Sequence, residues 1–379
     1  MLAVGLMSGT SLDGIDAVLC EITGFGLNTK IEQKNFIIYP LPASIKETIK
    51  RCCKSEGVGT DVICSLNFEL GELFSNAAQF VCAKAGIATQ NLDFISCHGQ
   101  TIYHIPRKTN QFIASTLQIG ESAVIAQNCG CTVISNFRTK DMAAGGEGAP
   151  LVPYSEYILY RNTEHAVALQ NIGGIGNVTV LPKECQLDDV YAFDTGPGNM
   201  TIDEAMLQMY GKPYDDRGKI ASTGKVINKM MNELKQHSYI NMDPPKTTGR
   251  EMFGPAFVHH LLKKYCEEKP NDIIKTLTWF TAWSIAENYR KFILPKDNLS
   301  EVILGGGGAH NKTLQQLIQS ELPNISILTQ EEKGFSSDAK EAIAFVILGN
   351  ETLHHNPSNV PRATGAKQKV ILGNITYPN

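Results

Sequence analysis

Near the N-terminus, the stretch GLMSGTSLDGID (Gly5 to Asp16) places Ser8, Gly9, Thr10, Ser11, Asp13 and Gly14 where two apolar runs call for the turn of a β-hairpin. An ordinary hairpin closes with about two to five residues, so this turn carries more chemistry than closure needs. Backbone N–H groups and the hydroxyls of Ser8, Thr10 and Ser11 suit phosphate oxygens, while Asp13 and Asp16 suit a Mg2+ ion held directly or through water. A second strand, small-residue loop and strand follow in AVALQNIGGIGNVTVL, Ala166 to Leu181. A third Gly-rich turn, Gly305, Gly306, Gly307 and Gly308 in EVILGGGGAHN, follows a strand and precedes a helix starting near Asn311. Glycines there admit a ligand to the backbone, and the helix N-terminus behind them favours anions. Any one such loop is ordinary turn punctuation; three at strand ends point to nucleotide phosphates.

A dense polar series supplies the remaining chemistry: Ser96 to Gln100, Asn136 to Asp141, Ala143 to Pro150 and Phe193 to Asn199. His98 follows the apolar run Phe94 to Cys97, where a side chain at a strand's C-terminal end meets a ligand; a capped loop histidine is the alternative. Asp194 ends the apolar run Val190 to Asp194 before the turn Thr195-Gly-Pro-Gly, and reads either as a general base or as a turn cap. No Gly-rich run ends in Gly-Lys-Ser/Thr, and no G-x-G-x-x-G follows a strand with a suitably placed acid. P-loop and Rossmann chemistry are therefore unsupported.

Strand-like runs at 2–6, 17–22, 94–97, 166–171, 177–181, 190–194 and 301–304 alternate with helical segments near 61–85, 199–209, 255–268, 273–292 and 339–348. This mixture predicts an α/β protein. A length of 379 residues with 42% hydrophobic content predicts two cores, and the two hairpins suggest two related halves. The expected division is 1–135 plus 350–379 against 136–349. A formal charge of -4 with scattered Lys and Arg excludes a phosphate-backbone stripe, so no nucleic-acid partner is expected. No run reaches membrane-spanning length, and a cytoplasmic location is expected. The ten cysteines lack zinc-site spacing, and Cys20, Cys64, Cys82, Cys97, Cys185 and Cys266, which stand singly in apolar segments, are expected as reduced core residues.

Taken together, GLMSGTSLDGID, SCHGQTIYH, LQIG, FRTKDMAAGGEGAPLVP, NIGGIGNVT, FDTGPGNMTID, PKTTGRE, LGGGGAHN and DAKEAIAFVILG resemble, in order and over nearly the full length, the anhydro-N-acetylmuramic acid kinase family of the acetate and sugar kinase, Hsp70 and actin superfamily. The resemblance implies two domains of the actin-like, ribonuclease H-like type, with mixed sheets flanked by helices around a nucleotide and sugar cleft that closes on binding. It implies ATP and Mg2+, an anhydrosugar substrate, a homodimer, and a reaction in peptidoglycan recycling that couples water attack on the anomeric carbon to phosphorylation of O6. By the same resemblance Asp194 is the base for that water. Gly9, Thr10, Ser11, Leu12, Asp13, Gly14, Ile15 and Asp16 are the ATP loop, with Asp16 on the metal through water. Asn171, Gly173, Gly174 and Asn177 form the second phosphate hairpin, and Gly305 to Gly308 border the adenosine. His98, Gly99, Gln100, Arg138, Asp141 and Glu341 are the sugar-side residues, with Arg138 paired to the lactyl carboxylate.

Three positions depart from the family pattern: Glu147, Gly305 and Thr247. Thr247 keeps a hydroxyl, whereas Glu147 adds negative charge near an anionic sugar. Two other functions are compatible with the motifs: a kinase of a simpler anhydrosugar such as levoglucosan, and an actin- or Hsp70-like ATPase acting on a protein partner.

Overall fold

The computed structural model describes residues 1–9, 12–54 and 58–378. Thr10 and Ser11 of the first loop lie outside the described residues. The chain divides into two units, Met1–Leu159 with Asp338–Asn379, and Tyr160–Ser337.

In the first unit β1 (Leu2–Ser8), β2 (Ile15–Thr23), β3 (Lys30–Tyr39), β4 (Phe94–Ile105), β5 (Ser115–Ile119) and β6 (Val133–Ser135) form one sheet with the short strand Asn374–Thr376. The order runs β3-β2-β1-β4-β6, then the C-terminal strand, with β5 hydrogen-bonded to β4. β1, β2 and β3 are antiparallel; β4 and β6 add in parallel. β1 is buried from Ala3 onward because both faces of the sheet are covered. The helix Thr60–Ala83 buries Leu66, Leu70, Phe74, Ala77 and Val81 against the sheet, a spacing that places all five on one stripe. The helix Lys340–Leu353 also packs on β1, so closely that a Cβ on Gly5 would sit 2.2 Å from the Ala342 carbonyl oxygen.

In the second unit β7 (Ala166–Ile172), β8 (Ile175–Leu181), β9 (Tyr191–Pro197), β10 (Leu299–Gly305) and β11 (Ser326–Thr329) are ordered β9-β8-β7-β10-β11. Again three strands are antiparallel and two add in parallel. Both sheets therefore share one topology, which explains the echo between the two hairpins in the sequence. The helix Pro270–Asn288 starts with proline at a position that needs no N–H, and buries residues around most of its circumference.

The structure corrects several expectations. The division between units falls at 159/160 and 337/338 rather than at 135/136 and 349/350. Residues 136–159 stay with the first unit because the Asp141 carboxylate accepts from Asn359 and Thr364 of the C-terminal segment, and because Lys340 pairs with buried Glu156 at 2.5 Å. β4 runs on to Ile105, so His98 and Gln100 lie inside a strand; pairing with β5 carries it forward. β9 likewise continues past Asp194 to Pro197. All ten cysteines are free, but of the six expected in the core Cys64 and Cys266 are exposed. No helix among the described residues is long and apolar enough to cross a membrane.

Candidate functional site

In the second unit, sheet register brings four separately nominated motifs into one row. Gly305 of β10 faces Asn171 of β7, Asn171 faces Asn177 of β8, and Asn177 faces Asp194 of β9. Directly opposed residues in neighbouring strands project to the same face, so the side chains of Asn171, Asn177 and Asp194 emerge together. All three are half-buried. Behind Gly305, Gly306 takes φ +75°, and a Cβ on Gly308 would lie 2.3 Å from Ile172 Cγ2. Glycine lets this turn fold flat against the end of β7. Asn311 caps the helix Lys312–Glu321 by accepting from the Leu314 N–H at 3.0 Å, as the expected helix start near Asn311 requires. Gly173 and Gly174 form the tip between β7 and β8, where their carbonyl oxygens accept from Asn199 N–H (2.7 Å) and Gly198 N–H (2.9 Å).

Asp194 is held at three atoms. Its N–H donates to the Lys246 carbonyl oxygen at 3.1 Å, its carbonyl oxygen accepts from the Tyr239 hydroxyl at 2.9 Å, and Oδ2 accepts from the Thr248 N–H at 2.9 Å. Oδ1 has no protein partner among the described residues. Burial raises its pKa above the ordinary aspartate value, and the Thr248 bond opposes that rise. A partly desolvated carboxylate with one free oxygen is suited to take a proton. Beneath the row, Gln170 is fully buried, donates to the Asn177 carbonyl oxygen (3.0 Å) and Thr195 Oγ1 (3.1 Å), and accepts from the Tyr289 hydroxyl (3.0 Å). Ser284 and Asn288 both donate to the Thr195 carbonyl oxygen. The end of β9 is thus braced on the helix Pro270–Asn288 and the residue after it. Asp203, in the first turn of the helix Met200–Tyr210, is also half-buried, and burial raises its pKa to about 6.

In the first unit the sugar-side residues separate into those that face outward and those that hold them. Asn136 adopts the left-handed conformation, φ 58°, which asparagine tolerates, and turns the chain from β6 into the helix Phe137–Ala143. That helix carries Arg138, whose Nε donates to His98 Nε2 at 2.9 Å and whose Nη1 donates to the Gly148 carbonyl oxygen at 2.8 Å. His98 Nδ1 lies 2.8 Å from the Gly99 carbonyl oxygen, and its ring packs 4.8 Å from that of Phe345. Nδ1–H donating and Nε2 accepting satisfy both contacts with one neutral tautomer. Burial, then the charge of Arg138, lower the His98 pKa to about 3. His98 therefore orients Arg138, and both ring nitrogens are spent within the chain.

Gln100 is also enclosed, with Oε1 accepting from Ser8 Oγ at 2.6 Å. Asp141 is fully buried: Oδ2 accepts from the Gly148 N–H (2.8 Å), and Oδ1 from Asn359 Nδ2 (2.9 Å) and Thr364 Oγ1 (2.8 Å). The polar atoms of His98, Gln100 and Asp141, expected on the sugar side, are engaged within the chain, where they support Arg138 and its loop. Glu147, the charged departure from the family pattern, pairs with exposed Arg107 at 2.5 Å, which offsets its charge. Beside His98 and Gly99 a cavity of about 370 Å³ opens, lined also by Asn67, Gln118, Glu121 and Asn136.

Asp16 pairs with Met7 across the β1–β2 hairpin and is half-buried. Burial, then Glu341, Asp338 and Asp13, raise its pKa to about 7. Glu341 is exposed in the first turn of the helix Lys340–Leu353 and attracts Arg138. Leu12 and Ile15 are buried, so of the first loop the backbone and the carboxylates of exposed Asp13 and half-buried Asp16 remain for a ligand among the described residues. Leu12 N–H bonds the Gly9 carbonyl oxygen at 3.3 Å, closing the loop.

Two α/β units of one strand order, each with a central hairpin rich in small residues, define the class: a two-unit α/β protein with a repeated sheet topology. The sequence model of the anhydro-N-acetylmuramic acid kinase family matches residues 1–378. Among relatives, a Clostridioides difficile (strain 630) protein named anhydro-N-acetylmuramic acid kinase is 57% identical over 376 residues, covering 99% of this chain and 98% of that one. A Bacillus cereus (strain 03BB102) protein of the same name is 53% identical over 380 residues, covering all of both. The chain belongs to the anhydro-N-acetylmuramic acid kinase family. Among solved structures, the activator of the 2-hydroxyisocaproyl-CoA dehydratase from Clostridium difficile with bound ADPNP is similar only loosely, at 11% identity and a TM-score of 0.44 over 93% of this chain and 97% of that one. Neither the levoglucosan-type kinase nor the partner-driven ATPase is favoured by relatives that match end to end.

The sequence motifs nominated Asp194, the hairpin asparagines and Arg138, but not the residues that aim them. The bonds by which Tyr239, Lys246 and Thr248 hold Asp194, and by which Tyr289 holds Gln170, join residues 45 or more positions apart. PKTTGRE was the one available signal, and it carried no assigned role.

Proposed function

We propose that the chain converts 1,6-anhydro-N-acetylmuramic acid, ATP and water to N-acetylmuramic acid 6-phosphate and ADP, as a step in peptidoglycan recycling. The observation that carries this reading is the row Gly305, Asn171, Asn177 and Asp194 across the second sheet, which puts a partly desolvated carboxylate beside the second phosphate hairpin. Asp194 takes a proton from the water that attacks the anomeric carbon; the C1–O6 bond breaks and O6 accepts the γ-phosphoryl group in line. Asn171, Asn177 and the glycine turns offer backbone N–H and amide donors to phosphate oxygens. Arg138, with Nη2 uncommitted among the described residues, pairs with the lactyl carboxylate, and Glu341 assists on the sugar side.

Asp16 would hold Mg2+: its carboxyl is raised to about 7 by burial first and then by the neighbouring carboxylates Glu341, Asp338 and Asp13, a negative cluster whose charge a cation would offset. In this reading Asp16 contacts the ion through water, as the family resemblance implies. When bound, the ion supplies charge neutralisation to the phosphates. A cytoplasmic homodimer belongs to the same proposal, resting on the family resemblance alone.

The test is ADP release with 1,6-anhydro-N-acetylmuramic acid, ATP and Mg2+. Asp194→Asn is expected to keep ligand binding and lower kcat by about 10²- to 10⁴-fold. Absence of sugar-dependent turnover by folded wild-type protein sinks the activity, and near-normal turnover by the variant sinks the base assignment.

A further inference from the structure

Asp194 owes its position to a loop that is not part of any strand. Its N–H bonds the Lys246 carbonyl oxygen, and its Oδ2 accepts the Thr248 N–H, so the segment 245–248 grips the residue at both backbone and side chain. Something must hold that segment in turn. The Lys246 side chain is 4% exposed and runs inward, with Nζ 5.0 Å from the Tyr239 ring centroid and 4.7 Å from that of Phe292. Nζ also lies 3.4 Å from the carbonyl oxygens of Tyr239 and Ile240 in the short helix Ser238–Asn241. No carboxylate forms an ion pair with it among the described residues. Tyr239 closes the ring by donating its hydroxyl to the Asp194 carbonyl oxygen.

We propose that Lys246 is a positioning residue for the reaction: its ammonium, seated between Tyr239 and Phe292, locks the 245–248 loop so that the Thr248 N–H holds Asp194 with Oδ1 free. This rests on Asp194 being the base. A cation between two aromatic faces and two carbonyl oxygens is attracted to all four, whereas a neutral amine loses most of that attraction. Burial, then repulsion from Lys291, lower the Lys246 pKa to about 8, against attraction from Asp243. The charged and titratable groups around it are Lys291, which itself pairs with Glu287, together with Asp243, the Tyr239 phenol and Asp194. Loss of the ammonium's charge frees the loop, and the base loses its anchor as pH rises through about 8.

Steady-state ADP formation by the full chain with 1,6-anhydro-N-acetylmuramic acid, from pH 6 to 10, tests this. Lys246→Met is expected to lower kcat by roughly 10- to 100-fold, with KM for ATP within about 2-fold, because a displaced base costs rate and not nucleotide binding. Lys246→Arg, always charged, is expected to recover most of that loss and to move the alkaline limb of kcat up by about one pH unit or more. Adding Lys246→Met to Asp194→Asn should cost nothing further, since both act through one group. A kcat for Lys246→Met within about 2-fold of wild type overturns the proposal, as does an unmoved alkaline limb in Lys246→Arg or a multiplicative double variant. If Lys246→Met does not fold, Thr248→Pro removes the same N–H with the lysine intact and must show the kcat loss; wild-type kcat there is equally fatal. Full activity of Asp194→Asn by itself would instead overturn the base assignment.

Discussion

Replacing Asp141 should unfold rather than inactivate, and the structure sets the size of the effect. Asp141→Ala removes the acceptor from three buried donors: the Gly148 N–H, Asn359 Nδ2 and Thr364 Oγ1. Thr364 can fall back on the Val360 carbonyl oxygen at 3.3 Å and Asn359 on that of Gln368 at 3.2 Å, but the Gly148 N–H has no substitute among the described residues. One full and two partial desolvation penalties, at about 1–3 kcal/mol for a full one, sum to about 3–5 kcal/mol. For a unit of about 200 residues this is a fall in melting temperature of roughly 6–20 °C, at about 2–4 °C per kcal/mol. Asp141→Asn keeps volume and one acceptor oxygen and should lose about half as much. Because the Gly148 carbonyl oxygen also accepts from Arg138, sugar KM should rise together with the loss of stability. Differential scanning fluorimetry and sugar-saturation kinetics on the two variants decide it. A wild-type melting temperature in Asp141→Asn together with a large increase in sugar KM would refute the reasoning and return Asp141 to the substrate.

Three further outcomes follow. His98, held near 3 against an ordinary 6.5, binds its proton more readily unfolded, so its contribution to stability is complete above about 6.5 and is lost as pH falls toward 3; His98→Gln should flatten thermal stability across that window, and an unchanged slope would contradict the buried neutral ring. Gly308→Ala drives a Cβ into Ile172, and should cost about 1–3 kcal/mol while raising KM for ATP more than KM for sugar; equal effects on both would count against the turn as the nucleotide side. Asp16→Asn is expected to raise the Mg2+ concentration for half-maximal rate at pH 8 with sugar KM unchanged, and an unaltered Mg2+ titration would remove Asp16 from the metal site.

Much of the fold was legible because hydrophobic period is a local property. The runs 2–6 and 166–171 announced β1 and β7, and 61–85 announced the helix Thr60–Ala83, since strand and helix each write their period into consecutive residues. Where a strand continues through polar letters the period disappears. β4 extends across His98 to His104 because β5 pairs with it, and β9 passes Asp194 because β8 pairs with it. The division of the chain was misread for the same reason: the bonds from Asp141 to Asn359 and Thr364 span more than two hundred positions and leave no local trace.

By itself the order of residues determined which groups could do chemistry: the two hairpins, the glycine turn, Asp194 and Arg138 are set by residue type, and full-length motif order carried the family. Their division into groups that meet ligands and groups that hold those groups required the folded chain. His98, Gln100 and Asp141 read as ligand residues because they are polar and sit in dense motifs, yet their polar atoms are consumed by Arg138, Ser8 and the C-terminal segment. Lys246 reads as nothing in particular, yet its backbone carbonyl oxygen accepts from the Asp194 N–H and its ammonium is seated against Tyr239 and Phe292. A side chain's chemistry is its own, whereas its role depends on whether tertiary neighbours have already satisfied it, and in a buried site each unsatisfied polar atom is costly enough to decide that.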